Sequence, residues 1–143
     1  MIQMHMQQGL SQDARIIRQE VFVEEQGFHH EFDEIDSRAW HLVLYENGQA
    51  AGCCRLFSSD QPEVNILGRL AVRKSCRCRQ YGERLVREAE AWLRGRQVKR
   101  LALSAQVRVR PFYEKLGFEF KSYEGDGYLL EMKLGGNVKE CIA

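Results

Sequence analysis

Two stretches of this chain place chemically capable side chains where the backbone would expose them. The first is Arg77-Cys78-Arg79-Gln80-Tyr81-Gly82-Glu83-Arg84, a basic turn between an apolar run at 64–72 and an amphipathic run behind it. If the second run is a helix, its N-terminus offers unpaired N–H groups and a partial positive charge, so the junction can hold a pyrophosphate. Arginines around it would add charge-assisted hydrogen bonds to phosphate oxygens. The alternative is an ordinary strand–loop–helix whose arginines are simply solvated. The second stretch is Pro111-Phe112-Tyr113-Glu114-Lys115-Leu116-Gly117-Phe118. Proline suits a first helical turn and glycine a helix C-terminus, so Tyr113 would project from a short helix. By itself it reads as a packed tyrosine whose hydroxyl reaches a partner.

The elements that must position these groups follow from patterning. Residues 2–6 read as a first strand. Ser11 offers an N-cap, and Ile16, Ile17, Val21 and Phe22 give the next helix its apolar side. Residues 27–38 form an acidic connecting loop. Strands at 41–45 and 50–56 flank Glu46-Asn47-Gly48, and Asn-Gly is a favoured hairpin pair. Residues 64–72 make another strand, and a helix after Gly82 runs to about Arg94 with Leu85, Ala89, Trp92 and Leu93 as its buried stripe. A strand at 100–105, a short helix at 111–115, and a second hairpin at 118–122 and 128–134 complete the order β-α-β-β-β-α-β-α-β-β. That order predicts an α/β or α+β protein with mixed strand directions.

The length, 143 residues, suits one domain, here 1–134, with a tail at 135–143. No apolar run approaches the length that spans a bilayer, and the first residues lack the marks of a signal peptide. These readings predict a cytoplasmic protein whose five cysteines stay reduced. Cys53-Cys54 and Cys76-x-Cys78 do not have the spacing of zinc ligands, so no metal is expected.

Charge is unevenly spread. Residues 1–40 hold eight acids against three arginines, whereas residues 69–100 hold eleven bases against three glutamates. The first region would suit a cation and the second a polyanion. Eleven bases also fit a nucleic-acid-binding module, but no nucleic-acid motif accompanies them and none is expected as a partner.

Together the stretches resemble the GNAT acetyltransferase superfamily. Arg77 to Arg84 resembles its coenzyme A motif, and Phe112 to Phe118 matches its Phe-Tyr-Glu-Lys-Leu-Gly-Phe signature letter for letter. Val21-Phe22-Val23-Glu24-Glu25-Gln26, the acidic 31–36, His41-Leu42-Val43 and Leu103-Ser104-Ala105-Gln106 resemble the ElaA-like and YjcF-like branch. The resemblance implies a single GNAT fold, a central mixed, mostly antiparallel sheet flanked by helices. It also implies transfer of an acetyl group from acetyl-CoA to an amine by direct attack, and a possible homodimer.

The cofactor-binding set it implies is Leu70, Ala71 and Val72 along the pantetheine arm, Arg77 to Arg84 at the pyrophosphate, and Gln106 and Phe112. An N–H near Leu70 would face the developing oxyanion. Tyr113 would donate a proton to the departing thiolate, although a free tyrosine near 10 is a weaker acid than a free thiol near 8.5. Glu24, Glu25 and His41, in that order, are its candidates for the base that deprotonates the amine. Glu24 and Glu25 would otherwise cap or solvate a helix end, and His41 would be structural. A catalytically silent acyl-CoA-binding module is the rival reading. The family's Arg-Gly-x-Gly-x-Gly run stands here as Arg77-Cys78-Arg79-Gln80-Tyr81-Gly82. A positive φ at Gln80 would cost roughly 1–2 kcal/mol, felt as about tenfold in coenzyme affinity.

Overall fold

A computed structural model describes residues 1–124 and 127–134. Seven strands form a mixed sheet in the order β1-β2-β3-β4-β5-β7-β6. The fold is the expected α/β (α+β) class, mostly antiparallel and flanked by helices. By internal packing the chain divides into two compact units, Met1–Phe57 with Leu67–Ala89, and Ser58–Ile66 with the residues from Glu90 onward.

In the first unit, strand β1 (Ile2–Gln8) pairs antiparallel with β2 (Trp40–Glu46), and β2 with β3 (Gln49–Ser58). The β2–β3 turn has φ +50 at Asn47 and +83 at Gly48, as a two-residue hairpin of this handedness requires. Helix α1 (Gln12–Arg18) starts where the Ser11 hydroxyl accepts the Ala14 N–H at 3.1 Å. Its Ala14 and Ile17, with Val21, pack on Val43, Cys53 and Ala71. Ile16, expected on the apolar side, is 44% exposed, because the buried stripe runs through Ala14, Ile17 and Val21 instead.

The helix does not simply continue to Phe22. Gln19–Glu25 is wound as a π-helix. The loop expected at 27–38 holds a short helix, α2 (Ile35–Arg38). Strand β4 (Val64–Val72) leads through a 3-10 turn, Lys74–Cys76, to α3 (Tyr81–Gly95). Gly52 on β3 lets β4 and α3 approach, since a Cβ there would lie 3.0 Å from the Ala71 carbonyl and from Leu85 Cδ1. The buried side of α3 is Leu85, Val86, Ala89 and Leu93. Trp92 falls outside that stripe, half-exposed under the Arg96 guanidinium at 4.4 Å.

In the second unit, Val64–Ile66 of β4 pair parallel with the first residues of β5 (Arg100–Gln106), and β5 pairs antiparallel with β7 (Gly127–Lys133). A 3-10 turn, Val107–Val109, carries β5 into α4 (Arg110–Lys115), which has proline in its first turn. Gly117, at φ +106, ends it and sends the chain into β6 (Glu119–Glu124), paired with β7. The tip of that hairpin at 125–126 and the tail at 135–143, with Cys141, lie outside the described residues.

Candidate active site

Between β4 and α3 the backbone makes two left-handed turns in close succession, Cys78 at φ +66 and Gln80 at φ +63. Alternating such residues turns successive N–H groups to one side, and a concavity of this kind binds anions. The turn runs directly into α3, whose first interior bond is Arg84 N–H to the Gln80 carbonyl at 3.1 Å. The N–H groups of the first turn have no carbonyl within the helix to serve. A residue that caps with its carbonyl alone, as Gln80 does, leaves that positive end for a ligand.

The arginines of this turn are already engaged. Arg77 grips Glu25 with both terminal nitrogens, at 2.6 and 2.8 Å, and its Nε donates to the Val72 carbonyl at 3.0 Å. Arg79 donates to both oxygens of Glu46, and the Tyr81 hydroxyl donates to the same carboxylate. Arg77 therefore holds the Glu25 carboxyl below its usual range, and Tyr81 with Arg79 does the same to Glu46. Tyr81 is in turn pushed up by its bond to Glu46. Cys78 is exposed and Cys76 half-buried.

The π-winding explains how Glu25 reaches Arg77. Glu20, one turn earlier, pairs with Arg73 at 2.8 Å. In an α-helix, five residues would set Glu20 and Glu25 about 140° apart. A helix closed by i→i+5 bonds, such as Gln26 N–H to the Val21 carbonyl at 3.2 Å, brings them towards one side. Both carboxylates then meet the arginines that follow β4. Glu24 lines an open groove of about 380 Å³ with Arg15, Ile16, Gln19 and Glu20.

His41 lies elsewhere, 1% exposed, its Nε2–H donating to the Asp36 carbonyl at 3.0 Å. Burial lowers its pKa, despite the opposing pull of Asp36, and so favours the neutral ring. It belongs to an ionic cluster that sequence patterning did not reveal. Arg18 donates to Glu31 at 2.9 Å and to Asp36 at 2.7 Å, while Arg55 donates to Asp33 at 2.8 Å and to Asp36 at 2.9 Å. Arg69 pairs with Glu31 at 2.8 Å and stands at 3.6 Å from Asp33. Burial pushes the Asp36 carboxyl up, but bonds from Arg18, the Asp33 amide and Arg55 outweigh it and hold it at about 2. Arg55 was legible as a lone charge in the apolar run from Gly52 to Leu56, and Arg18 as a charge inside a buried helical stripe.

This cluster also shapes β4. Arg69 has φ +53, a left-handed residue inside a strand, and its guanidinium donates to the Glu31 carbonyl at 3.2 and 3.3 Å. The kink falls immediately before Leu70, Ala71 and Val72. Ala71 is buried and the other two are half-buried.

In the second unit Tyr113 is 8% exposed, with its ring edge-on to Phe112 at 5.0 Å and Phe118 at 5.7 Å. Phe112 is 36% exposed, and the exposed Gln106 accepts from Arg108 at 3.1 Å. Within the first unit the structure brings together Arg77, Arg79, Tyr81 and Glu25, while His41 stands apart in the buried cluster.

The acetyltransferase (GNAT) family profile matches residues 7–118. An uncharacterised N-acetyltransferase of Bacillus subtilis, YjcF, is 31% identical over 112 residues, 77% of this chain and 79% of that protein. The crystal structure of Escherichia coli ElaA superposes with a TM-score of 0.77 at 26% identity, over 93% of this chain and 99% of that one. N-acetylglutamate synthase of Neisseria gonorrhoeae, in complex with coenzyme A and N-acetylglutamate, superposes with a TM-score of 0.74 at 20% identity over 36% of its own length. No described helix is long and apolar enough to cross a membrane.

Proposed function

The chain belongs to the GNAT acetyltransferase family, and from that premise we propose that it moves an acetyl group from acetyl-CoA to a primary amine by direct attack. The observation that carries the reading is the anion-binding turn at Cys78 and Gln80 opening into α3. Backbone amides there suit a pyrophosphate without demanding a side chain. The synthase of Neisseria, whose fold is alike, was crystallised with coenzyme A.

In the proposed reaction the amine lone pair attacks the thioester carbon and forms the C–N bond. Negative charge builds on the carbonyl oxygen, towards the Leu70 N–H beyond the Arg69 kink. The C–S bond then breaks, and Tyr113 gives the thiolate a proton or a hydrogen bond. The amine's surplus proton leaves through water to Glu24. Glu25 is less suited to that role while Arg77 holds it as a depressed, weakly basic carboxylate. His41 is buried away from solvent and serves the cluster. A lysine-like amine near 10.4 is neutral in only about one molecule in two thousand at pH 7, so a base has work to do. We place the reaction in the reducing cytosol, with one chain or a pair of chains as the working unit.

The test is thiol release from acetyl-CoA across an amine panel, with Tyr113→Phe beside the natural chain. Turnover in the variant should drop at least about tenfold with coenzyme affinity within about threefold. Equal turnover would remove Tyr113 from the chemistry. Coenzyme binding with no transfer to any amine would favour the silent acyl-CoA-binding module.

A further inference from the structure

The sheet has two outer strands, β1 and β6. Natural edges are blunted by charge, proline or a bulge, because a bare edge pairs with other chains. Strand β6 is defended in that way. It carries Glu119, Lys121 and Glu124, and its pairing slips between Phe120 and Ser122. Strand β1 is not defended. Ile2-Gln3-Met4-His5-Met6-Gln7-Gln8 holds no carboxylate, lysine, arginine or proline, and it stays in register with β2 over all seven residues.

Which backbone groups of β1 face outward follows from its two ends. Asn47 N–H donates to the Met1 carbonyl, and Gly9 N–H to the Ala39 carbonyl, both at 2.9 Å. Antiparallel bonds fall on alternate residues, so Gln3, His5 and Gln7 bond to β2. Ile2, Met4, Met6 and Gln8 therefore turn N–H and C=O outward, and no described segment pairs with them. Burial breaks off at the same line. Met4 and Met6 are half-buried, while their neighbours across the ladder, Leu44 and Leu42, are fully buried. Beside the strand lies an open hollow of about 650 Å³, lined by Gln3, Met4, His5, Tyr45 and Gly48.

We propose that β1 is a self-association edge, pairing antiparallel with β1 of a second copy of this chain about a dyad at His5. The strand's own symmetry selects that occupant. Centring on His5 sets Ile2 opposite Gln8, Gln3 opposite Gln7 and Met4 opposite Met6 of the other copy. Every outward-bonding residue then meets another, which gives about eight backbone hydrogen bonds between the copies. A dyad at Met4 or Met6 would strand one such residue in each chain. The methionines of both copies join in one apolar row beside Leu42 and Leu44, and no formal charge meets its like. Seven residues a side fall short of the roughly 20–30 of a standard interface, so the dimer is a weak one with Kd of about 10–100 µM. It uses neither coenzyme nor acceptor and stands apart from the acetyl-transfer reading.

The test is sedimentation velocity of the reduced full chain from about 2 to 300 µM, a range that brackets this weak dissociation. The monomer should pass to a dimer across it. His5→Lys sets like charges face to face at the dyad and should weaken the dimer about fivefold or more, with the urea midpoint unchanged. Disulfides then test the register, in a chain carrying Cys76→Ser, Cys78→Ser and Cys141→Ser. His5→Cys should link two copies on mild oxidation, because opposed residues of a non-hydrogen-bonded pair have Cα atoms about 4.5 Å apart. Gln3→Cys should not, since its two copies stand about 13 Å apart along the strands. A monomer throughout the range, a dimer indifferent to His5→Lys in a folded protein, or Gln3→Cys linking as readily as His5→Cys would overturn the proposal.

Discussion

Replacing Gln80 by glycine separates two accounts of the anion-binding turn. A side chain at positive φ costs roughly 1–2 kcal/mol relative to glycine. From the sequence, that cost was expected to fall on coenzyme binding. The structure builds the torsions into the turn itself, Gln80 at φ +63 and Cys78 at φ +66. A strain present before and after binding cancels from the affinity and is charged to folding alone. Glycine removes it but restores unfolded-state freedom worth about 0.5–1 kcal/mol. Gln80→Gly should therefore stabilise the fold by about 0.5–1 kcal/mol, raising Tm by about 1–4 °C for a chain of this size. Coenzyme affinity should stay within about threefold, the allowance for a Cβ beside the phosphates. Urea unfolding and calorimetry on the same preparations measure both. Unchanged or lower stability with tenfold tighter coenzyme binding would refute the reasoning, since the turn would then become left-handed only with ligand.

Three further outcomes follow from the charged contacts. Glu46→Gln releases Arg79 and should tighten coenzyme binding about threefold at low salt, with the gain vanishing in high salt. Weaker binding would show instead that Glu46 positions Arg79, and calorimetry at two ionic strengths decides it. Arg18→Met leaves Glu31 and Asp36 short of a buried partner and should cost about 3 kcal/mol or more in denaturant unfolding. Stability should also fall on acidification in two stages. The His41 pKa is lowered in the fold, so below about 6.5 the unfolded chain takes up a proton that the fold resists. The Asp36 carboxyl is held at about 2, so its contribution is complete above 3.8 and is lost as pH falls towards 2. Urea midpoints would stay flat from pH 8 down to about 5.5 if His41 were unperturbed.

Local chemistry made much of the fold legible. Ser11, Asn47-Gly48, Pro111 and Gly117 each set a backbone torsion or satisfy an end group, and the structure uses each as expected. The strand at 64–72 matched residue for residue. What stayed hidden depends on partners far along the chain. That Arg18, Asp36 and Arg55 share one cluster shows only once the fold sets residues 18, 36 and 55 side by side. The π-winding has no composition of its own, since Gln19 to Glu25 would serve equally in an α-helix and only the spacing of Arg73 and Arg77 makes the wider turn worthwhile. At the turn before α3 the residue types were visible, but the carboxylates that occupy its arginines were not. Glu46 lies 33 residues from Arg79.

That wider turn makes the segment sensitive to a kind of change that side-chain substitutions do not probe. Loss of a single codon between Glu20 and Glu25 would leave every neighbouring residue type intact and let the helix relax to ordinary winding. Glu20 and Glu25 would then stand four residues apart on an α-helix, still near neighbours on one side. Phe22, however, would be swung about 100° relative to the core it now helps to cover. A deletion there trades an unusual helix for a misplaced apolar face, so this segment is held in length as well as in residue type.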